Sequence, residues 1–512
     1  MNNISDKNIF FRQDMASMSS VIKEKYENLK RPVMTLTMIY VVAISALIRA
    51  NIRYKDDVGR TIDGHRRWHA ASRYMSDILS MFFHTSEKVH DISPLTQIIA
   101  CLFIAIASAI LCMVISGGKP SRKTLLASLP MGLSCFFLEC FSFKYDSPYM
   151  ALSAVGTMVP FLFIDSGMLI YSVISVIGTL VTCTTYQASL GIYPMMVIIL
   201  FFKYWSTGRW TFKEGSRFSL ISAADWAGAI LFYRFILIRE VPEYTSDHLL
   251  SPRKMLPGII RNYRIYFKHI MSDYNRLWSV LTLIIIISCF LLMIARSVRK
   301  LIPTVIFAGA SLAVMSFLCY GVFIAMAAPR FGLRLMTGFG YLTAIMMVYI
   351  TGGADDTEKK TRKLSAIPVL ASLAFSWCMF SFSFIYGNAF SYQMQYTETI
   401  RTMLVNDLAH SELIDSGNVK KFQIKKSIGR CPEAKAAVED FPALNRLLPP
   451  TLSKNPWAQL TVFRSMNIPN IQFYIQEDMR KLGLPEVLDT AYYTIYGNDE
   501  YVLVIMKRYD KG

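Results

Sequence analysis

Polar sequence is what this 512-residue chain has least of: charged residues make up 18% and hydrophobic ones 53%, with a mean hydropathy of +0.35. That balance excludes an ordinary set of soluble domains. Acids are scarce beside bases, 36 against 54, for a net charge of +18. The sign invites nucleic acid, yet the basic residues are scattered among loops between apolar runs. Membrane orientation and anionic lipid or phosphate account for them there, so no nucleic-acid partner is expected. A glycine-rich phosphate loop, a nucleophile elbow and a Cys/His zinc pattern are all missing, which argues against a nucleotide substrate. The nine cysteines write no disulfide framework. Cys101, Cys112, Cys135, Cys289, Cys319 and Cys378 lie inside apolar runs as small hydrophobes, and Cys431 alone falls in the polar tail. Cys140 and Cys183, near run ends, read as buried thiols or as a pair. Internal repeats and low-complexity segments are absent, and the polar N-terminus carries no cleavable signal, so the first apolar run is expected to remain as an anchor.

What is there is a series of apolar runs of about 17–25 residues, the length that crosses a bilayer. Backbone in lipid must bond to itself, so these are helices; they are apolar on every face, which a barrel strand is not. Eleven are expected, at 32–48, 94–116, 125–141, 149–164, 168–183, 188–202, 220–238, 277–295, 303–327, 335–350 and 366–386. Lys23, Lys25, Lys30 and Arg31 ahead of the first run indicate a cytoplasmic start, so an odd number of spans leaves the C-terminus outside. Residues 387–512 mix prolines, charges and short alternating stretches at 422–425, 471–475 and 501–505, which predict a small α/β domain with its own core. The expected architecture is a polytopic α-helical membrane protein. Its bundle spans 1–386 and carries long outer loops at 50–93 and 239–276, and an outer α/β domain follows. An amphipathic helix is expected around Leu256–Ile270.

The first of those loops concentrates the chemistry. Asp56 and Asp57 stand just beyond a membrane helix with Arg53, Lys55 and Arg60 near in sequence. A carboxylate so placed can serve as a general base, although two acids at a loop mouth are otherwise simply solvated. From Arg60 to Phe83 the pattern suits interfacial helices, which would frame a lipid entrance and press Arg60, Arg66, Arg67 and Arg73 to phosphate depth. Arginine fits that role because its guanidinium forks onto phosphate oxygens. Asp146, in a short loop on the same side, is a second candidate acid or a turn residue before Pro148. Arg330 and Arg334, four apart, are candidates to clamp a departing phosphate or to anchor the interface. His65 and His69 could share a helical face, but without a positioned glutamate no metal site is assigned to them. Asp355 and Asp356, on the opposite side, are expected to be solvated.

These motifs resemble a known family. Tyr54-Lys-Asp-Asp-Val-Gly-Arg60, then Gly64, Trp68 and Arg73, then Asp91-Ile-Ser-Pro-Leu95 are similar to the phage-type serotype-converting O-antigen glucosyltransferases, in the type II-like group of the Gtr family. So are Phe143-Lys-Tyr-Asp-Ser-Pro148, Tyr186-Gln-Ala-Ser189 and the tail's Leu448-Pro-Pro-Thr-Leu-Ser453 with Trp457. The motifs follow the family's order over nearly the whole chain; Ser72 stands before Arg73 where the family often has glycine. The resemblance implies a C-type glycosyltransferase fold in a bacterial inner membrane, with a periplasmic C-terminal domain. It implies undecaprenyl-phosphate-glucose as donor and a sugar of the lipid-linked O-antigen as acceptor. An acid of the first outer loop would act as base; carried onto this chain that is Asp56 or Asp57, with Asp57 preferred. One in-line displacement would invert the anomeric centre, with the leaving phosphate held by arginines and no cofactor or metal required.

Two other readings compete. A flippase for the same lipid would carry broken helices or charges at the membrane midplane, and the spans are short of such charges. A polymerase of the O-antigen would share the substrates without needing a loop that begins in paired acids.

Overall fold

The computed structural model describes residues 27–238, 249–352, 366–414, 419–448, 452–453, 468, 471–474 and 477–507. Asp355 and Asp356 lie outside them. Among the described residues seven helices are long and apolar enough to cross a membrane: Leu95–Ser116, Met168–Thr185, Gln187–Ser206, Phe212–Leu237, Arg276–Ala295, Leu301–Leu318 and Ala366–His410. The count becomes eight if the pair Arg122–Leu133 and Cys135–Ser142, bent by 61°, is one span. The expected eleven are not reached on this criterion, and the shortfall has local causes. Runs 149–164 and 335–350 fold into the shorter helices Ser147–Phe163 and Thr337–Gly352. The first run is helical over 27–43 and again over Ser45–Ala50, with a turn at Ile44 between.

Packing in the bundle is close where small residues allow it. Helices Ser147–Met158 and Met168–Thr185 cross at Gly156 and Gly178, where a Cβ on Gly178 would sit 2.2 Å from the Gly156 carbonyl oxygen. The Thr182 hydroxyl donates to the Ser153 carbonyl at 3.0 Å beside that contact. Such approach of two backbones is how membrane helices gain dispersion energy without a hydrophobic driving force. All nine cysteines are free, so Cys140 and Cys183 do not pair.

At one end of the bundle, basic side chains reach the last carbonyls of neighbouring helices, which have no partner inside their own helix. Lys203 Nζ donates to Ile115 O at 2.5 Å, Arg296 to Tyr349 O at 2.6 Å and Ile350 O at 2.8 Å, and Arg299 Nε to Trp205 O at 2.9 Å. At the other end lie the first loop, residues 143–146, and Met255–Asp273. That last helix is the expected amphipathic one: Gly258, Asn262, Tyr266, Ile270 and Asp273 face inward, while Leu256, Ile260 and Met271 are exposed.

The helix beginning at Ala366 runs unbroken to His410, past the expected end at 386, because no proline interrupts 387–410. At 45 residues it is about 68 Å long, roughly twice the hydrocarbon thickness. Its far end supplies Ile400, Leu404 and Leu408 to the core of a five-stranded sheet. The strands are β1 (Lys420–Lys425), β2 (Ile471–Phe473), β3 (Glu486–Asp489), β4 (Tyr493–Gly497) and β5 (Tyr501–Met506), in the order β2-β1-β5-β4-β3. Strand β1 is parallel to both of its neighbours, and β3, β4 and β5 form an antiparallel meander. The intervening helices Pro432–Asp440 and Leu444–Leu447 pack elsewhere: Cys431, Ala434, Ala443, Leu444 and Leu447 join the core of the bundle.

Candidate active site

Asp56 and Asp57 open a short helix, Asp56–Asp63, in which Gly64 with φ 64° forms the left-handed C-cap. Acids in a first turn complement the helix dipole, so the doublet fits this place. A helical step of 100° then sends the two side chains to opposite environments. Asp57 and Arg60 turn inward and are buried, whereas the Asp56 side chain is 57% exposed.

The segment 143–146 ties that helix to the bundle residue by residue. Asp57 Oδ2 accepts from Tyr54 N at 3.1 Å and Lys144 N at 2.9 Å, and Oδ1 accepts from Tyr145 N at 3.5 Å. Burial pushes the Asp57 carboxyl up to about 8, against those N–H groups and Arg60, which favour its charged form. The Lys144 ammonium, itself buried, joins the two ends of the first loop: it donates to Asn51 Oδ1 at 2.6 Å and Asp91 Oδ2 at 2.9 Å. Asp146 Oδ1 pairs with Arg60 Nη2 at 3.2 Å and accepts from Trp68 Nε1. The Arg60 guanidinium lies over the Trp68 ring, 3.9 Å from its centroid. Asp57, Asp146 and Arg60, all expected at the site, are thus brought together as an enclosed tether.

The open side of the same cluster holds Asp56, Arg334 and Arg73. Arg334 Nη2 is 3.7 Å from Asp56 Oδ2, and its guanidinium sits 4.1 Å from the centre of the Phe143 ring. Burial disfavours its charge, but Tyr186, Asp56, Glu139 and Asp146 outweigh that and hold it protonated beyond its ordinary range. The Tyr186 hydroxyl donates to Arg334 O at 3.0 Å, and the Arg73 guanidinium lies 5.0 Å from the Tyr186 ring centroid. Arg73 Nε also donates to Gln187 Oε1 at 3.4 Å. Two guanidinium groups therefore flank one tyrosine beside an exposed carboxylate. That is the composition a site for a phosphate and a nucleophilic hydroxyl requires.

The other expected residues are placed less centrally. Arg66 is half-buried and gives its carbonyl to Arg60 Nη1, and Arg67 is exposed with φ 53°. Arg330 is exposed on the irregular segment before Arg334, so the two do not share a helical face. Neither do His65 and His69, because 64–68 is not helical; His69 Nδ1 pairs with Asp77 at 2.9 Å and His65 Nδ1 lies 3.8 Å from Asp63. Among the described residues no three His, Cys, Asp or Glu side chains are grouped so as to hold a metal ion.

Sequence reasoning missed Glu139. It is buried on Cys135–Ser142, beyond the helix break at Ser134, and accepts from Lys55 Nζ at 2.5 Å, Tyr54 Oη at 3.0 Å and Arg334 N at 2.7 Å. The expectation that the spans are short of charge overlooked this one. The signal was available, since Glu139 is the sole ionisable acid or base of run 125–141 and such a residue marks function by default. Arg446 was also missed. It pairs with the buried Asp273 and donates to Phe331 O, while Leu447 O accepts from Tyr54 Oη at 3.1 Å. The Leu444–Leu447 helix thereby braces both loops that carry the site.

Comparison with known proteins supplies the family. A protein of Salmonella phage P22, described as an uncharacterized 55.3 kDa protein in the gtrB 5′ region, is 23% identical over 444 residues, 83% of this chain and 88% of that protein. No solved structure matches the chain. Residues 45–345, which include Asp56, Arg73, Glu139 and Arg334, match the family described as glucosyl transferase GtrII. The chain belongs to the GtrII glucosyl transferase family.

Proposed function

We propose that the protein moves glucose from undecaprenyl-phosphate-glucose to a sugar of the lipid-linked O-antigen on the periplasmic face of the inner membrane, with Asp56 as general base. The observation that carries this reading is the exposed Asp56 carboxylate 3.7 Å from the Arg334 guanidinium, beside Arg73 and Tyr186. Asp56 takes the proton of an acceptor hydroxyl as its oxygen bonds to the anomeric carbon. The bond from that carbon to the phosphate oxygen breaks, and its electron pair leaves on the phosphate, toward Arg334 and Arg73. A single displacement inverts the anomeric centre. Fixed guanidinium groups supply the positive charge for the leaving group, so the step calls for no metal or cofactor. Asp57 and Asp146 hold the loop in place rather than contact substrate, because both are enclosed. Arg66, Arg67 and Arg330, at the rim, draw the anionic lipid headgroup inward.

Orientation is supported by the basic helix caps at the far end of the bundle. Under the positive-inside rule Lys203, Arg296 and Arg299 favour a cytoplasmic side for that end, and the arginines at the Asp56 end are assigned to anion handling instead. A flippase remains the second reading, carried by the 61° bend and the Glu139 carboxylate within an apolar segment. Purified protein in vesicles, given donor labelled in its glucose together with lipid-linked acceptor, separates the two. Label appearing covalently on the acceptor supports transfer; label that only changes leaflet, still on its donor lipid, overturns it.

A further inference from the structure

Glu139 divides its two oxygens between two elements. Oε1 receives Lys55 Nζ at 2.5 Å and Tyr54 Oη at 3.0 Å, both from the first loop, and Oε2 receives the Arg334 N–H at 2.7 Å. Lys55 immediately precedes Asp56 and has φ 45° and ψ −104°, a region that non-glycine residues enter only under strain. Strain of that kind persists only where the surroundings over-determine it. Here the constraints come from both sides of Asp56. The Lys55–Glu139 pair fixes the residue before it, and the N–H groups of Lys144 and Tyr145, donating to the Asp57 carboxylate, fix the residue after it. The same Glu139 holds the backbone of Arg334, whose guanidinium faces Asp56.

We propose that Glu139 is a positioning residue that sets the separation between the base and the phosphate-binding guanidinium, acting through Lys55 on one side and Arg334 on the other. This rests on the reading of Asp56 as base. Glu139 itself touches neither sugar nor phosphate. A glutamine would keep one acceptor, so its amide nitrogen must face either the Lys55 ammonium or the Arg334 N–H and one of the two links is lost. Misplacing a reacting group by about 1 Å costs up to about a hundredfold in rate.

The test uses full-length protein in membranes with labelled undecaprenyl-phosphate-glucose and lipid-linked acceptor, comparing Glu139→Gln, Lys55→Met and the double variant. Each single variant is expected to lower kcat by about 10- to 100-fold, with both KM values changing less than about threefold. The double variant is expected to be no slower than the slower single, because both break one link. Folded amount is followed by size-exclusion profile. Should Glu139→Gln fail to fold, Lys55→Met carries the test, since its side chain is 40% exposed and it leaves the buried acid with Tyr54 and Arg334. Wild-type kcat in Lys55→Met, or losses that multiply in the double variant, overturns the proposal. A wild-type protein that transfers no glucose overturns instead the reading of the site beneath it.

Discussion

Exchanging each member of the acid doublet for its amide separates two roles that lie one residue apart. Asp56→Asn removes the proposed base while keeping shape and helix start. General-base assistance contributes about 10²–10⁴-fold, so the activation barrier should rise by about 3–5 kcal/mol with the fold intact. Asp57→Asn keeps an oxygen for Tyr54 N and Lys144 N at the place of Oδ2, and should leave transfer near wild type. Asp57→Ala orphans those two buried N–H groups at about 1–3 kcal/mol each, a stability loss of about 2–6 kcal/mol. A pH series adds a check with a definite sign. The Asp57 carboxyl, up at about 8 in the fold against about 4 in an unfolded chain, keeps a proton that the unfolded state releases between those values. The native state then binds more protons, so this group's contribution to stability is complete below about pH 4 and declines as pH rises toward about 8. Asparagine has no such proton, and Asp57→Asn should flatten the decline. Transfer assays in membranes measure the first effect, and melting of detergent-solubilised protein from acid to neutral pH measures the second. A folded but inactive Asp57→Asn beside an active Asp56→Asn would refute the assignment.

Arg334→Ala should cut transfer by about 10²–10³-fold, the usual loss for one fixed donor on a developing oxyanion, and weaken donor use more than acceptor use; equal effects on both KM values count against a phosphate role. Gly178→Ala, whose Cβ would lie 2.2 Å from Gly156 O, should overpack the helix crossing by about 1–3 kcal/mol and lower the melting temperature without touching Asp56. Treatment with EDTA should leave the rate unchanged, because in the proposed step guanidinium groups carry the phosphate charge; a loss restored by added magnesium or manganese would contradict that.

Much of the architecture was legible because an apolar run in lipid has a single backbone solution. Every expected run contains helix, stretches 422–425 and 501–505 fall on β1 and β5, and 471–473 of the third stretch form β2, with Ile475 outside the described residues. What escaped was context that hydropathy does not encode. The break at Ser134 follows local signals that hydropathy does not weigh: Pro130 opens the short helix Pro130–Leu133, and Ser134, extended at ψ 147°, caps the next helix by accepting from Phe137 N. Strand β3 escaped because Glu486–Asp489 is an exposed edge without an alternating apolar face, and β4 because Tyr493–Gly497 is buried on both faces and so shows no alternation. At the site, the loop residues and Arg334 could be named from charge and place. Which of Asp56 and Asp57 faces solvent could not, since that is decided by the rotation of an eight-residue helix against backbone N–H groups some 87 residues away.

The adjacency of the two acids then acquires a physical reason. A base must be exposed to meet its substrate, yet it must also be fixed, and an exposed side chain on a loop is free to wander. Placing a second carboxylate one helical step away solves this. Asp57 spends its hydrogen bonds on the bundle's backbone, and the helix it anchors carries Asp56 at a set angle. One carboxyl enclosed with its pKa raised and its neighbour open to solvent suit the divided roles proposed for them. Lys144 and Asp146 extend the arrangement, because each residue from 144 to 146 fastens a different point of the first loop: its helix start, its two ends, and Arg60. In the proposed reaction the substrates approach a rim of arginines on a loop whose inner face is bonded to the bundle through residues 144 to 146. A site on rigid elements is what in-line displacement at a sugar carbon demands.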